Sequence, residues 1–414
     1  MRLKFMLLTI LSLMLVCCAS NGEQPDLDFK YITGIDVLSH KVHNVKIDNF
    51  QRTIELLFER GEDLSRVELK LTLGNGVDMV APQTATATYD LTDVAEIRLK
   101  KDNDVVTFKI HVRFTSPSLD IPASHWEKKG GFGPLPDYIS IYSYKKDISG
   151  KLTRAFIAVA EVGKGKGRFK VLGEKSGVAT LTQFYTKNAS PSVIINGGYF
   201  WNGTSLNLLI KNGVTVSTSE PIVNRDYNGQ PIPYYPTQGA FGMEGDGSFS
   251  AQWVYHVSGT LYAYPQPSPN VAGEKPQPRP SSTFPAGAKV WTPTEAIGAG
   301  PLLIKNGEYK NLWENELFDV TSGVGPNYNH PRTAVGYHPN GYVVFFVCEG
   351  RNKTPNTPGM TLKNVADILL GLGCTEAINL DGGGSSCMLV KGVETIIPRD
   401  ANGQRTVTSA LAIY

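Results

Sequence analysis

The segment from Ala377 to Ser386 reads Ala-Ile-Asn-Leu-Asp-Gly-Gly-Gly-Ser-Ser, so an acid, three glycines and two hydroxyls follow a short apolar run. The apolar run predicts a buried strand, and Asp381 is expected to emerge where this strand ends. Glycine permits positive φ and leaves backbone N–H groups open to an anion or a sugar oxygen. The segment therefore predicts a site for a polar ligand. A tight glycine turn that is capped by Asp381 is the alternative.

A helix is predicted immediately before this strand. Thr361 can N-cap it and Gly373 can end it. Between them, apolar residues recur at helical spacing, at Leu362, Val365, Ile368, Leu369 and Leu372. A second apolar run, 192–196, ends in an amide followed by Gly197 and Gly198. Two strands of this chain are thus expected to end in polar side chains and glycines.

Length and composition limit the number of domains and the kinds of partner that the chain can have. With 414 residues and 41% hydrophobic content, the chain predicts two or three domains with real cores. Its 40 basic and 38 acidic residues give a net charge of +2, which gives no indication of a nucleic-acid partner. The cysteines beyond the leader are too few and too irregularly spaced for a zinc site, and one disulfide is left open, among Cys348, Cys374 and Cys387.

The N-terminus has the pattern of a bacterial lipoprotein leader. Arg2 and Lys4 precede an apolar run, Phe5–Val16, that is too short to span a bilayer as a stable helix. The run ends in two cysteines and resembles a lipobox, which implies a signal peptide over 1–18, lipidation of Cys18 and a membrane anchor. Residues 19–29 then form a polar tether. The expected location is the outer membrane or cell surface; an ordinary secretory signal is the alternative.

Residues 30–115 alternate apolar and polar positions in short runs that are separated by turn signals. The clearest of these runs are Thr53–Phe58, Val67–Leu71 and Val105–Ile110. This spacing predicts an antiparallel β-sandwich of immunoglobulin-like size. Nothing in it suggests chemistry, so we interpret it as a spacer or docking module. A linker rich in proline and glycine is predicted over 116–137.

The remaining residues, 138–414, predict a larger mixed domain, so the predicted fold class is α+β. Within it, 262–285 is rich in proline and predicts a surface loop without a core of its own. We expect this loop to lie beside a substrate cleft. Tyr262, Tyr264 and Trp291 are candidates for stacking on sugars.

Six motifs follow one another in this domain: Asn196–Phe200, Gly300–Gly307, Pro331–Gly336, Glu349–Arg351, Gly359–Leu362 and Asn379–Ser386. In this order they resemble the phosphodiester glycosidase family, over roughly residues 135 to 414. The resemblance implies hydrolysis of a sugar-1-phosphodiester with a sugar like N-acetylglucosamine. The glycosidic C1–O bond breaks, and a free sugar and a phosphomonoester leave. The expected partner is therefore a glycan or sugar phosphodiester.

The chemistry of this reaction suggests roles for charged residues. The leaving phosphate is a stable anion, so it needs cations and N–H donors more than a strong acid, and Arg332 and Arg351 could grip it with planar forks. Asp381 and Glu349 are the predicted catalytic pair; a separation of about 5 Å favours retention and about 6.5–9.5 Å inversion. The remaining predicted substrate-binding residues are Asn196, Gly197, Gly198, Thr333, Gly382, Gly383, Ser385 and Ser386.

Alternatives remain open for several of these residues. The family usually has aspartate where this chain has Glu349, and a shift on the order of 1 Å can cost a hundredfold in rate. Arg332, Arg351 and Asn196 could each be structural. His330 could be an acid, a phosphate contact or an exposed loop residue. The remaining arginine near the C-terminus, at 405, is interpreted as structural.

No cofactor is predicted. Asp381, Glu349 and nearby carbonyls could hold calcium or magnesium, but the sequence shows no compact acidic ligand loop, so a required metal is not expected. A surface glycan-binding protein that has lost catalysis is the alternative function. An exo-glycosidase acting on sugars without phosphate is a third option. The sequence does not predict an oligomeric state.

Overall fold

The computed structural model describes residues 29–58, 62–114, 119–163 and 166–414. Contacts divide the chain into two units, Met1–Thr115 and Ser116–Tyr414. Strands account for 45% of the structure and helices for 6%, so the fold is mainly β. Within the described ranges, no helix is long and apolar enough to cross a membrane. The predicted leader, with Cys18, lies outside the described residues.

The described part of the first unit contains eight strands: β1 Ile32–Val37, β2 Val42–Asp48, β3 Thr53–Phe58, β4 Val67–Leu73, β5 Val77–Ala81, β6 Thr86–Tyr89, β7 Ala95–Lys101 and β8 Asp104–Phe114. They form one sheet in the order β1-β4-β6 and another in the order β2-β3-β8-β7-β5. Neighbouring strands are antiparallel except β3 and β8, which are parallel.

The alternation seen in the sequence explains these two sheets. In β4, Val67, Leu69 and Leu71 are buried while the residues between them are exposed. They join Ile54 and Phe108 of the other sheet in one hydrophobic core. Two β-sheets around one core are therefore confirmed, whereas the immunoglobulin-like assignment stays a prediction.

The described part of the second unit begins with nine strands and a helix: β9 Trp126–Lys129, β10 Ile139–Tyr144, β11 Ala155–Glu161, β12 Phe169–Gly173, α1 Leu181–Lys187, β13 Val193–Asn196, β14 Phe200–Trp201, β15 Thr204–Ser205, β16 Leu209–Lys211 and β17 Val214–Ser217. In the middle of the unit, all regular elements are strands: β18 Val223–Tyr227, β19 Gln230–Tyr234, β20 Gln238–Met243, β21 Phe249–Val257, β22 Thr260–Tyr264, β23 Lys289–Val290, β24 Glu295–Gly298, β25 Leu302–Lys305 and β26 Glu308–Tyr309. The last part contains β27 Arg332–His338, β28 Tyr342–Cys348, α2 Leu362–Gly371, β29 Glu376–Asn379, β30 Met388–Val390, β31 Val393–Glu394 and β32 Ser409–Ile413.

Three large antiparallel sheets build this unit, together with the two-stranded pairs β14-β15 and β18-β19. The strand orders of the large sheets are β26-β25-β29-β27-β28-β11-β10-β9, β12-β32-β13-β30-β31 and β17-β16-β24-β20-β21-β22-β23. All three contribute to one apolar core, which includes Val335, Leu411 and Trp253. Because β27 and β28 lie in the middle of the largest sheet, nearly all of their side chains are buried.

Helix α2 covers the outer face of the largest sheet. Thr361 caps it through a capping box with Asn364, and the chain leaves the helix at Gly373, where φ is +81°. Its apolar face packs into a second core with Phe346 and Ala377. The predicted helix and the strand after it are both confirmed. The other helix, α1, begins at Leu181, where Thr180 caps it through a capping box with Gln183.

The structure corrects several predictions. The α+β class is confirmed only in part, because the fold is mainly β and all regular structure between residues 200 and 310 is strand. The region predicted as a linker contains β9, which pairs with β10 and buries Trp126. The proline-rich loop is not purely a surface loop, since Ser268 and Asn270 are fully buried. The cysteines at 348, 374 and 387 are all free and buried, so no disulfide joins them.

Candidate active site

A cavity of about 190 Å³ opens where β13 and β29 end and β27 begins. The turn after β29 forms one side of it, and the loop over 322–330 forms another. Its lining contains a single carboxylate among the described residues, together with three arginines. The lining residues are Tyr199, Ser322, Gly323, Val324, His330, Arg332, Arg351, Asn379, Asp381, Gly382, Gly383, Gly384 and Arg405.

The backbone of Asp381 is fixed by the end of strand β13. Its N–H donates to the Gly197 carbonyl at 3.0 Å, and its carbonyl accepts from Asn196 Nδ2 at 2.7 Å. Asn196 Oδ1 in turn accepts from Thr333 Oγ1 at 2.8 Å and from the Cys387 N–H at 3.1 Å. The Asn196 amide is therefore fully occupied as a scaffold that positions Asp381.

The carboxyl of Asp381 is partly buried, and burial raises its pKa to about 6. The Ser385 hydroxyl, the Arg405 cation and the Gly382 N–H act in the opposite direction and favour the charged form. Ser385 faces the carboxylate without making a hydrogen bond of standard geometry. A carboxyl with a pKa near 6 can exchange a proton near neutral pH, which suits a catalytic base or nucleophile.

This pKa predicts the pH dependence of any activity that uses the Asp381 carboxylate. The reactive form is deprotonated, so kcat/KM should rise about tenfold per pH unit below pH 6 and level off above it. A phosphodiester substrate does not itself titrate in this range. We would measure kcat/KM from pH 4 to 8. A rate that falls above pH 6 would instead make Asp381 a proton donor.

Arg332 is buried and its guanidinium organises the cavity wall. Its Nε donates to the Met360 carbonyl at 3.0 Å, and its Nη atoms donate to the carbonyls of Val324, Gly325 and Tyr328 at 2.7–2.9 Å. Four of its five N–H groups are therefore used within the protein. Burial lowers the pKa of Arg332 only to about 10, so the charge remains.

Arg351 is exposed and lies over the glycine turn. A Cβ on Gly383 would be 3.3 Å from its Nη1. Its Nε donates to His330 Nδ1 at 3.3 Å. Burial, together with the Arg332 and Arg351 cations, lowers the pKa of His330 to about 4, so this imidazole is neutral. Because Nδ1 accepts a hydrogen bond, the single proton of the neutral ring lies on Nε2, and His330 can act as a neutral donor in the cavity.

Arg405 reaches the cavity from the segment before β32. It forms a bidentate ion pair with Asp400, with Nε–Oδ2 at 2.8 Å and Nη2–Oδ1 at 3.1 Å. The pair packs directly on Gly384, where a Cβ would overlap both side chains. Arg351 and Arg405 thus give the cavity two cations that are partly exposed.

A methyl group at Gly384 should displace the Arg405–Asp400 pair. Both are exposed side chains that can move, so stability should change little, whereas Gly384→Ala should raise the Kd for inorganic phosphate about tenfold. Calorimetry would measure the Kd. Gly371→Ala is the matched control, because nothing lies within 4 Å of its Cβ. An unchanged Kd in Gly384→Ala would exclude Arg405 from anion binding.

Tyr199, Asn379 and the Gly300 carbonyl form a network in the cavity wall. Tyr199 Oη donates to the Gly300 carbonyl at 2.6 Å, and Asn379 Nδ2 lies 2.9 Å from both of these oxygens. Burial keeps the Tyr199 hydroxyl protonated by raising its pKa. These groups offer neutral hydrogen bonds beside the Asp381 carboxylate.

Glu316 supports this network from the core. Its carboxylate accepts from Trp253 Nε1, from the Leu302 N–H and from the Gly239 N–H at 2.8–2.9 Å. Burial raises its pKa to about 7. Leu302 lies two residues after Gly300, and the Gly300 carbonyl accepts the hydrogen bond from Tyr199. By binding the Leu302 N–H, Glu316 therefore holds the segment that orients Tyr199.

Glu316 should make the stability of the second unit depend on pH. Its pKa is higher in the folded than in the unfolded state, so the folded state binds more protons between about pH 4.5 and 7. The free energy of unfolding should therefore fall as the pH rises through this window. Denaturation of the full chain at several pH values would show the slope, and Glu316→Gln should flatten it. An unchanged slope in this variant would contradict the pKa.

The sequence model of the phosphodiester glycosidase family matches residues 189–414, which include the whole lining of the cavity. The chain belongs to this family. The resemblance drawn from the six motifs is thereby confirmed.

Two relatives of this family member share short stretches with it. Human N-acetylglucosamine-1-phosphodiester alpha-N-acetylglucosaminidase is 34% identical over 104 residues, covering 24% of this chain and 20% of that protein. The SPbeta prophage-derived uncharacterized protein YomE of Bacillus subtilis (strain 168) is 36% identical over 73 residues, covering 18% of this chain and 11% of that protein. The chain therefore spans a fifth or less of either relative.

Solved structures also resemble this family member. A hypothetical protein from Synechocystis aligns with 17% identity and a TM-score of 0.46, over 85% of this chain and 74% of that one. The catalytic domain of zebrafish N-acetylglucosamine-1-phosphodiester alpha-N-acetylglucosaminidase, auto-inhibited by its pro-peptide, aligns with 18% identity and a TM-score of 0.45. That alignment covers 70% of this chain and 88% of that one.

Glu349 does not line the cavity of this phosphodiester glycosidase family member. Its side chain is buried, and Oε1 accepts from the Ile397 N–H at 3.1 Å. The structure does not bring Glu349 into the lining with Asp381, so the catalytic role of Glu349 stays a prediction and the pair gives no indication of the stereochemistry. The backbone N–H of Glu349 donates to the Arg154 carbonyl and so continues the pairing of β28 with the neighbouring strand. The side chain of Glu349 then faces Ile397.

Several other predicted binding residues do not line the cavity. The N–H groups of Gly197 and Gly198 donate to Ser409, and a Cβ on either would clash with backbone or side-chain atoms. Thr333 is buried against Asn196, and Ser385 and Ser386 are buried behind the turn. The aromatic residues of the insertion lie elsewhere: Tyr264 and Trp291 are buried, and Tyr262 does not line the cavity.

Seven residues of the cavity lining were not selected from the sequence as ligand contacts: Tyr199, Ser322, Gly323, Val324, Asn379, Gly384 and Arg405. Tyr199 and Asn379 both lie in motifs that the sequence analysis identified, directly after or at the end of a strand. Side chains two positions apart along a strand point to the same face, and this rule pairs Asn379 with Asp381. Nothing near Arg405 in the sequence marks it, because it reaches the site only through the return of the chain to β32.

Proposed function

We propose that the protein hydrolyses a sugar-1-phosphodiester at the glycosidic C1–O bond, giving a free sugar and a phosphomonoester. The observation that supports it is one cavity that holds a partly buried carboxylate, Asp381, together with the accessible cations Arg351 and Arg405. Family membership supports the reaction class. The human relative bears the name of a glycosidase that acts on a phosphodiester.

The electrostatics of the cavity suit a phosphate leaving group. When the C1–O bond breaks, its electron pair stays on the phosphate oxygen, and the product gains a negative charge. Arg351 and Arg405 can stabilise this charge with charge-assisted hydrogen bonds, and neutral His330 can donate another. A phosphate is a far better leaving group than a sugar alkoxide, so the absence of a second carboxylate from the described lining does not impede this reaction.

Asp381 serves the attack on C1, either as a base or as a nucleophile. As a base it takes a proton from water while the water oxygen bonds to C1; as a nucleophile its oxygen bonds to C1, and water then releases the sugar. Both routes need the deprotonated carboxyl. They differ in whether the sugar product keeps the configuration at C1, which proton NMR of the fresh product distinguishes.

Hydrolysis in ¹⁸O-labelled water tests the proposed bond cleavage. Full-length protein would be incubated with hexose-1-phosphodiesters and N-acetylhexosamine-1-phosphodiesters, and the phosphomonoester would be followed by ³¹P NMR. Cleavage at C1–O leaves the phosphate unlabelled, because the water oxygen enters the sugar. Label in the phosphate would instead indicate a phosphodiesterase. Release of sugar from glycosides without phosphate would indicate an ordinary exo-glycosidase.

The glycan-binding alternative remains an outcome of the same experiment. No turnover of any phosphodiester, together with tight sugar binding, would support it. The neutral His330 and the raised pKa of Asp381 favour the enzyme, because a pure binding site gains nothing from a carboxyl that is half protonated near pH 6.

We also propose that the protein is exported, is anchored through Cys18, and uses residues 30–115 as an immunoglobulin-like spacer. The motivation is the leader pattern in the sequence. Labelling of expressing bacteria with a palmitate analogue tests it: Cys18→Ser should abolish the label, and Cys17→Ser should keep it. The opposite result would place the lipid on Cys17.

A further inference from the structure

The side chain of Asn379 carries an acceptor that the protein does not use. Asn379 is 1% exposed and lines the cavity. Its Nδ2 lies within 2.9 Å of three oxygens, on Tyr199, Gly300 and Leu380. Its Oδ1 is buried and has no hydrogen-bond partner among the described residues. Buried side-chain oxygens without a partner are uncommon, so this one indicates a missing ligand.

The orientation of this amide is fixed by its surroundings. A flipped side chain would place Oδ1 against the carbonyl oxygens of Gly300 and Leu380, which cannot donate. The Tyr199 hydroxyl already donates to Gly300. The unused group is therefore an acceptor, and it can be satisfied only by a donor such as a hydroxyl or an amide N–H.

The position of this acceptor relative to the charged groups is also defined. Asn379 and Asp381 are two residues apart at the end of β29, so both line the cavity, whereas Leu380 between them belongs to the core. The arginines come next, with Arg351 over Gly383 and Arg405 on Gly384. Along the chain, the cavity thus presents a neutral acceptor, then a carboxylate, then two cations.

A sugar-1-phosphodiester carries complementary groups in the same order. The substituent on C2 is a donor, C1 reacts with the carboxylate or its water, and the phosphate is an anion. Hydrogen bonds to the C2 substituent strengthen as charge develops on the ring in the transition state. An acceptor beside the reacting carboxylate is therefore placed to select the substituent next to C1.

Resting on the function proposed above, we propose that Asn379 Oδ1 accepts a hydrogen bond from the C2 hydroxyl or C2 amide N–H of the substrate sugar. Asn379 is then a specificity-determining residue. The substrates are phosphodiesters of sugars that carry a donor at C2, such as hexoses and 2-acylamino hexoses. Sugars with 2-deoxy or 2-O-methyl groups leave the acceptor unsatisfied and should be rejected.

Matched substrates test this inference in the full-length protein. We would measure kcat/KM for a hexose-1-phosphodiester and its 2-O-methyl and 2-deoxy analogues, in the wild type and in Asn379→Ala. The wild type should prefer the C2 donor about 100-fold, since a site built around a hydrogen bond rejects analogues that lack it. In Asn379→Ala the preference should collapse to about threefold or less. Comparing the ratio between the two proteins cancels the different intrinsic reactivity of 2-deoxy sugars.

The same ratio in both proteins would overturn the inference, as would a wild type that does not discriminate. If Asn379→Ala does not fold, the wild-type comparison of hexose with 2-O-methyl hexose still decides the outcome. Tryptophan fluorescence would check folding.

Sugar binding separates failure of this inference from failure of the proposed function. Asp381→Asn protein would be titrated with a free hexose, a free N-acetylhexosamine and a 2-deoxyhexose, observed by ligand NMR. Binding of the first two without the third supports the role of Asn379 even if no phosphodiester is hydrolysed. Hydrolysis that does not depend on the C2 group leaves the function standing and overturns this inference. Equal binding of all three sugars, or binding of none, also overturns it.

Discussion

Asp381→Asn should lower kcat for sugar-1-phosphodiesters about 10³-fold or more, because the amide can neither take a proton from water nor attack C1. The fold should be unaffected. The two hydrogen bonds that place residue 381 use its backbone N–H and carbonyl, and both survive the substitution. Burial raises the pKa of the carboxyl, which means that the charged form is held at a cost, so the neutral amide should be at least as stable.

Glu349→Gln is the matched control for this variant. It makes the same change from carboxylate to amide at a buried residue outside the cavity, and its remaining bond to the Ile397 N–H can be kept by the amide oxygen. We expect kcat within about threefold of the wild type. An equal loss in both variants, with intact folding, would return Glu349 to the catalytic machinery. Sugar release and thermal unfolding would be measured on all three proteins.

Arg332→Met should lower the free energy of unfolding of the second unit by about 3 kcal/mol, because four carbonyl groups lose a charged donor and only those of Gly325 and Met360 also accept a backbone N–H among the described contacts. Activity should also fall by at least about tenfold, since the loop over 322–330 that these bonds hold is a wall of the cavity. All five tryptophans of the chain lie in the second unit. Their fluorescence in urea therefore reports on this unit within the full-length protein.

Arg351→Met is the comparison for this prediction. Arg351 is exposed and makes one long hydrogen bond to His330, so stability should stay within about 0.5 kcal/mol of the wild type. Arg351→Met should instead weaken the binding of phosphate and raise its Kd. The reverse pattern, with Arg332→Met stable but unable to bind phosphate, would show that Arg332 grips the ligand and does not organise the loop.

The sequence predicted the parts of this site that are continuous along the chain. Helix α2 was predictable because helical spacing, an N-cap and a terminal glycine agree with one another. Asp381 was predictable because a buried strand ends in an acid and three glycines. Each of these signals is local, and local signals survive in a single sequence.

The errors arose where a role depends on a distant neighbour. Gly197 and Gly198 were interpreted as ligand contacts, but they are glycines because Ser409, Gly298 and Asn207 lie too close for a side chain. A sequence cannot distinguish a glycine that admits a ligand from one that admits another strand. Likewise, Arg405 reaches the cavity only because β32 pairs with β13.

The roles of two charged residues also depend on distant neighbours and could not be predicted from the sequence. Arg332 and Glu349 have the residue types that the reaction needs; Arg332 begins β27, and Glu349 follows β28. Arg332 nevertheless uses four donors on carbonyls, and Glu349 faces away from the cavity. The direction of a side chain at the end of a strand depends on which backbone groups around it lack partners, and these groups come from residues 324–328 and 360.

Four carbonyl groups surround one cation, the guanidinium of Arg332, which is attached to strand β27. Loops of this kind often close around a free metal ion, and they open when a chelator or a change in the medium removes it. Here the cation is part of the polypeptide. The loop carbonyls of Val324, Gly325 and Tyr328 therefore have a cationic partner that is covalently part of the chain, and their arrangement needs no bound metal ion.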